Sequence, residues 1–170
     1  MKPEIIRETE QSWRANPEKA QGRPTVTARS DGSQAVIEAG GFTWRADLPA
    51  PLGGSNQAPS PTALLLSALA GCAAVFIRDT LGPQLGVAID GVQAVARGQA
   101  DSRGLLGMDG VSPRLTNVQL EIEIRSPEPP QKVQKVYDAW LQRCPIYLAL
   151  VQATPVDVSL TVKPASGASG

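Results

Sequence analysis

No histidine occurs among the 170 residues, and only two cysteines do. The first absence excludes catalysis that needs an imidazole base, so an activated thiol here would have to draw on arginine or lysine. The second leaves too few thiols for a tetrahedral zinc site within one chain, and no CxxC pair is present. Charge of either sign is also lacking in excess, since sixteen basic residues balance sixteen acidic ones. With no basic run, neither nucleic acid nor an acidic membrane surface is an expected partner. The N-terminus, MKPEIIRETEQSW, has no apolar segment of signal-peptide length, and the longest apolar stretch, Ala63 to Ile77, is shorter than a membrane span. These features point to the cytoplasm, where thiols stay reduced and a disulfide between Cys72 and Cys144 would be transient rather than structural. A small molecule or a second copy of the chain is the expected partner.

The length suits one compact domain. Residues 1–22 read as an N-terminal helical extension, punctuated by Pro17 and Gly22, and 164–170 (ASGASG and its flank) as a flexible tail. Between them, 23–163 forms the domain. It opens with three short strands, Thr25–Arg29, Gln34–Ala39 and Phe42–Leu48, separated by the hairpin signals Asp31-Gly32 and Gly40-Gly41. The Pro- and Gly-rich stretch 49–61 leads to a marked helix start, with Ser60 as cap and Pro61 at the first position. The run TALLLSALAGCAAVFI that follows is apolar on every side, which requires enclosure on more than one face.

After Gly82-Pro83 come a strand within 87–99, the loop 100–107, and an alternating strand that sets Val118, Leu120, Ile122 and Ile124 against Gln119, Glu121 and Glu123. A helix over about 130–143 places Val133, Val136, Tyr137, Trp140 and Leu141 on one face. Cys144-Pro145 ends it, because a residue before proline resists helical geometry. A short apolar turn, 146–151, precedes a final alternating strand with Val156, Val158, Leu160 and Val162. The order β-β-β-α-β-β-α-β is α+β, two helices against antiparallel sheets.

Composition alone leaves both cysteines open to a structural reading. Cys72 lies too far into its helix for the dipole to act on it, its neighbours are apolar, and Arg78 falls on roughly the opposite face. Cys144 reads as a residue closing an amphipathic helix. Gly53-Gly54 lacks the GK[ST] of a phosphate loop and reads as a turn, while Asp101, Asp109, Glu121 and Glu123 read as solvated loop and strand residues. No metal or cofactor site is implied.

The ordered motifs add to this. FTWRADLPAPLGGSNQAPSPTALLLSALAGCAAVFIRDTLG, from Phe42 to Gly82, resembles the OsmC/Ohr family of thiol peroxidases, in which an LGG loop and a PSP-type start lead into an LLxALxxC helix. DSRGLLG at 101–107 is similar to the DxRGxLG loop of one OsmC-like subgroup, Cys144-Pro145-Ile146 to the family's second-cysteine motif, and Pro155-Val156-Asp157-Val158 to its last strand. The resemblance spans roughly 25–163. It implies an intertwined homodimer, in which two antiparallel sheets enclose long central helices and the active sites lie at the subunit interface. It also implies a function: Cys72 would be oxidised by an organic hydroperoxide, or by hydrogen peroxide, to a sulfenic acid. Cys144 would then close a disulfide, and a dithiol of the lipoyl type would reduce it. Arg29 best matches the family's activating arginine, with Arg45 as competitor. Where peroxidase members carry a glutamate after the helix-start proline, this chain has Thr62, whose hydroxyl accepts a hydrogen bond but forms no ion pair. Two other readings suit the same scaffold: a non-catalytic dimeric module holding an apolar or acyl ligand, and a different thiol-exchange activity.

Overall fold

A computed structural model describes residues 3–152 and 154–163; the expected tail at 164–170 lies outside them. Helix α1 (Pro3–Ala15) buries only Ile6 and ends before a 3-10 turn, Pro17–Ala20. Strands β1 (Thr27–Asp31), β2 (Gln34–Ala39) and β3 (Phe42–Ala46) form an antiparallel sheet in that order. Gly40 and Gly41 carry φ of +55° and +84°, the backbone that a tight hairpin turn demands and glycine tolerates. The register sets Arg29, Val36 and Arg45 abreast on one face of this sheet, and Ala28, Ile37 and Trp44 abreast on the other.

Helix α2 (Pro61–Phe76) begins as its sequence requires: the Ser60 hydroxyl accepts a hydrogen bond from the Ala63 amide at 3.2 Å, and Pro61 occupies the first turn. A π turn (Ile77–Leu81) and helix α3 (Gly82–Gln84) continue it. By length and composition alone, the 24-residue run Pro61–Gln84 would suffice to cross a membrane; here it lies along a second sheet. That sheet is the antiparallel pair β4 (Gly91–Gln99) and β5 (Thr116–Arg125), joined by an excursion containing helix α4 (Ser102–Leu105). Val92 stands opposite Ile124, Ala94 opposite Ile122 and Ala96 opposite Leu120, and these pairs pack on the core. Helix α5 (Pro130–Arg143) adds Val136, Ala139 and Trp140. With Leu69, Ala73, Ile77, Leu81, Val87 and Cys144, they make one buried cluster around α2.

Two expectations are corrected. Residues 146–151 are not a turn: with Pro145 they form helix α6 (Pro145–Val151), begun by Cys144 as its cap. The alternating segment around Val156–Val162 forms no strand among the described residues, and its four apolar side chains are 80–89% exposed. Alternation specifies the two faces of a strand but not the edge it pairs with, and this segment meets none among the described residues. The enclosure of α2 is likewise incomplete, because Leu65 and Val75 remain exposed.

Candidate active site

Cys72 sits on α2, half-buried, and Cys144 is fully buried at the junction of α5 and α6. The junction is sharp because Pro145 holds Cys144 in an extended conformation, φ −71° and ψ 113°. The Cys144 amide still donates to Trp140 O at 2.9 Å, its carbonyl accepts from the Leu148 amide at 3.0 Å, and its sulfur accepts from the Tyr147 amide at 3.4 Å. One residue thus ends one helix and caps the next, which fixes its sulfur in space. Cys144 Sγ lies 3.0 Å from Cys72 Sγ, and both are free thiols.

Burial pushes the Cys72 thiol up to about 12, helped by the hydrogen bond and charge of Cys144; the Ile146 amide, at the start of α6, acts in the opposite direction. Within the single chain, Cys72 is therefore a neutral thiol at physiological pH. Among the described residues no cation relieves it: the Arg78 guanidinium is held by Asp79 at 2.8 Å. Arg29 lies on exposed β1, 3.7 Å from Glu38, while Arg45 is engaged at 2.9 Å by both Asp31 and Gln34. Among the described residues, no hydrogen bond or ion pair joins either arginine to a cysteine. Thr62 is exposed in the first turn of α2.

An apolar cavity of about 610 Å³ is lined among others by Leu65, Leu69, Leu120, Ile122, Trp140 and Tyr147; neither cysteine lines it, but Leu69 lies one helical turn before Cys72 and Trp140 one turn before Cys144. Trp140, one turn before Cys144, packs between Tyr137 and Tyr147, with its ring centroid 5.2 Å from that of Tyr147. Leu105 and Leu106 of the DSRGLLG loop point to solvent and lie outside the lining. Arg103 of that loop is clamped to Asp101 at 2.6 Å, which makes the pair a loop brace. Among the described residues, no three Cys, Asp or Glu side chains converge as a metal site would need.

One residue escaped the sequence reading. Asp47 is buried, and its carboxylate accepts from the amides of Leu48, Ser55 and Gln57, the Ser55 hydroxyl and the Gln34 side chain. The Gln57 amide and the Ser55 hydroxyl outweigh burial and hold this carboxyl well below the usual carboxylate range. Gly54 is required beside it, since a Cβ there would fall 1.9 Å from Leu48 O. Asp47 therefore staples the loop that delivers the chain to α2. The run of Asn, Ser, Gln and Gly after it was the available signal.

The family model for OsmC-like proteins matches residues 54–159, a stretch that includes both cysteines. The chain belongs to the OsmC-like family. Solved members share its fold. An OsmC-like protein from Mycoplasma pneumoniae is 21% identical, with 78% of this chain and 90% of that one covered at a TM-score of 0.64. An organic hydroperoxide resistance protein from Elizabethkingia anophelis is 15% identical over 78% and 91%, TM-score 0.55. The organic hydroperoxide resistance protein OhrB of Bacillus subtilis is 17% identical over 78% and 93%, TM-score 0.52. No curated protein gave a match. The OsmC-like fold is thus mixed α and β, with two small antiparallel sheets, as the order of elements implied.

Proposed function

We propose that this OsmC-like protein is a cysteine peroxidase that reduces organic hydroperoxides, and hydrogen peroxide as a smaller substrate, in the cytoplasm. The observation that carries the reading is the 3.0 Å separation of the Cys72 and Cys144 sulfurs. The Cys72 thiolate attacks the terminal peroxide oxygen, the O–O bond breaks, and the alkoxide leaves as alcohol once protonated. Cys72 is then a sulfenic acid. The Cys144 thiol displaces its hydroxyl as water and closes the disulfide. A lipoyl-type dithiol returns both cysteines to thiols by two exchange steps and leaves as its own cyclic disulfide. The cavity takes the organic group of the peroxide.

The reading includes a homodimer. A second copy would bury the exposed stripe of α2 at Leu65 and Val75, pair with the unpaired segment at 154–163, and bring a cation to Cys72. Arg29 suits that role better than Arg45, because its only ion-pair partner among the described residues, Glu38, is at 3.7 Å and both groups are more than half exposed. One equivalent of cumene hydroperoxide, followed by mass-spectrometric mapping, tests the cycle: a Cys72–Cys144 disulfide is expected, and a Cys72 that stays a free thiol sinks it.

A second reading has a specific observation behind it. The raised Cys72 pKa and the apolar cavity also suit a non-catalytic dimer that holds an apolar or acyl ligand. Binding of a fatty acid without dithiol-dependent peroxide turnover would favour it, and turnover on dihydrolipoamide would exclude it.

A further inference from the structure

Gln84 closes the helical run that carries Cys72, and its side-chain amide stands between two groups of opposite chemistry. Its Nε2 donates to Glu10 Oε1 on α1, and its Oε1 accepts from Arg143 Nη1 at 2.9 Å. A carboxylate only accepts and a guanidinium only donates, so a single orientation of the amide serves both. Arg143 is the last residue of α5, next to Cys144. The chain Glu10, Gln84, Arg143 therefore links the end of the helix bearing Cys72 to the end of the helix bearing Cys144, with α1 as a third anchor. None of the three side chains belongs to the buried cluster or lines the apolar cavity.

We infer that this hydrogen-bonded chain positions Cys144 against Cys72 and so sets how readily the two thiols close to a disulfide. A sulfur held in contact has a high effective concentration, and loosening the end of α5 dilutes it. Arg143 and Gln84 are positioning residues, since neither touches a sulfur. The inference deepens the proposed cycle and rests on it only for the peroxide step. Closure itself can be driven by oxidised glutathione, which takes the two electrons and two protons as the protein disulfide forms and leaves as two reduced molecules.

The full chain is equilibrated in glutathione redox buffers, and the disulfide fraction is read by mass spectrometry after alkylation. Gln84→Ala and Arg143→Ala should each move the equilibrium toward the dithiol by about tenfold, and Arg143→Lys, which keeps a donor, by less. The double variant E10Q/Q84E reverses donor and acceptor in the link between positions 10 and 84, leaves position 84 an acceptor for Arg143, and should return to the wild-type value, whereas Q84E alone, which sets two carboxylates against each other, should not. A loss of general stability would not produce that rescue. Both alanine variants within about twofold of wild type overturn the inference. A wild-type disulfide that forms in glutathione but never with hydroperoxide sinks the peroxidase reading and leaves this one standing; active peroxide turnover with unmoved alanine variants does the reverse.

Discussion

The thiol of Cys144 donates to the sulfur of Cys72 at 3.0 Å, across 72 residues of sequence. That contact makes the two cysteines unequal. Cys72 is reached from the half-open side of α2, while Cys144 is sealed behind Trp140 and α6. In the proposed cycle the half-buried sulfur meets the peroxide first and the fully buried one follows.

The serine variants separate these roles. Cys72→Ser should abolish peroxide consumption. Cys144→Ser should consume about one equivalent per site and then stop, because the sulfenic acid has no thiol to condense with. Stopped-flow peroxide assays check both, and sustained turnover in Cys72→Ser would overturn the assignment.

Arginine dependence follows from the raised thiol. If Arg29 of a second copy holds the thiolate, Arg29→Ala should shift the pH profile of Cys72 alkylation upward and cut kcat/KM by about a hundredfold. Arg45→Ala should leave the profile in place, because Arg45 is committed to Asp31 and Gln34. The reverse outcome would reassign the role.

Thr62 offers a gain-of-function test. Thr62→Glu would place a carboxylate in the first turn of α2, able to pair with an arginine that the hydroxyl cannot hold by charge. Peroxide turnover should rise several-fold, roughly 1 kcal/mol of transition-state stabilisation, and the rise should vanish in the Arg29→Ala background.

Asp47 governs acid stability. Its folded-state pKa lies below the ordinary value of 3.8, so the stability it adds is fully present above that pH and is lost as pH falls below it. Asp47→Asn replaces an acceptor by a donor facing backbone amides, and should lower Tm at neutral pH by about 5 °C or more. Wild type and variant should converge as the buffer is made strongly acidic. Calorimetry across pH reads both effects.

The proposed homodimer is checked by light scattering. The chain should weigh about twice its 17.9 kDa, and Val75→Glu should return it to one chain with loss of turnover. By contrast Ile77→Ala, buried within one protomer, should cost about 2–5 kcal/mol of stability while the dimer persists.

Much was legible in the residues themselves. Ser60-Pro61 marks the start of α2, Gly40-Gly41 turns β2 into β3, and the alternation of β5 and the apolar face of α5 follow from periods of two and 3.6 residues. These are short-range properties, determined by side chains within a turn or two of one another. The motifs around both cysteines likewise point to the family. Only tertiary structure brought Cys72 to Cys144, because nothing local in either helix specifies a distance to a residue 72 positions away. It also showed Asp47 as a buried staple, whose five hydrogen-bond donors are mostly backbone amides that a sequence does not display. The segment at 154–163 marks the boundary between the two kinds of information: its alternation was written in the chain, but a strand exists only where a neighbouring edge supplies the other half of its hydrogen bonds.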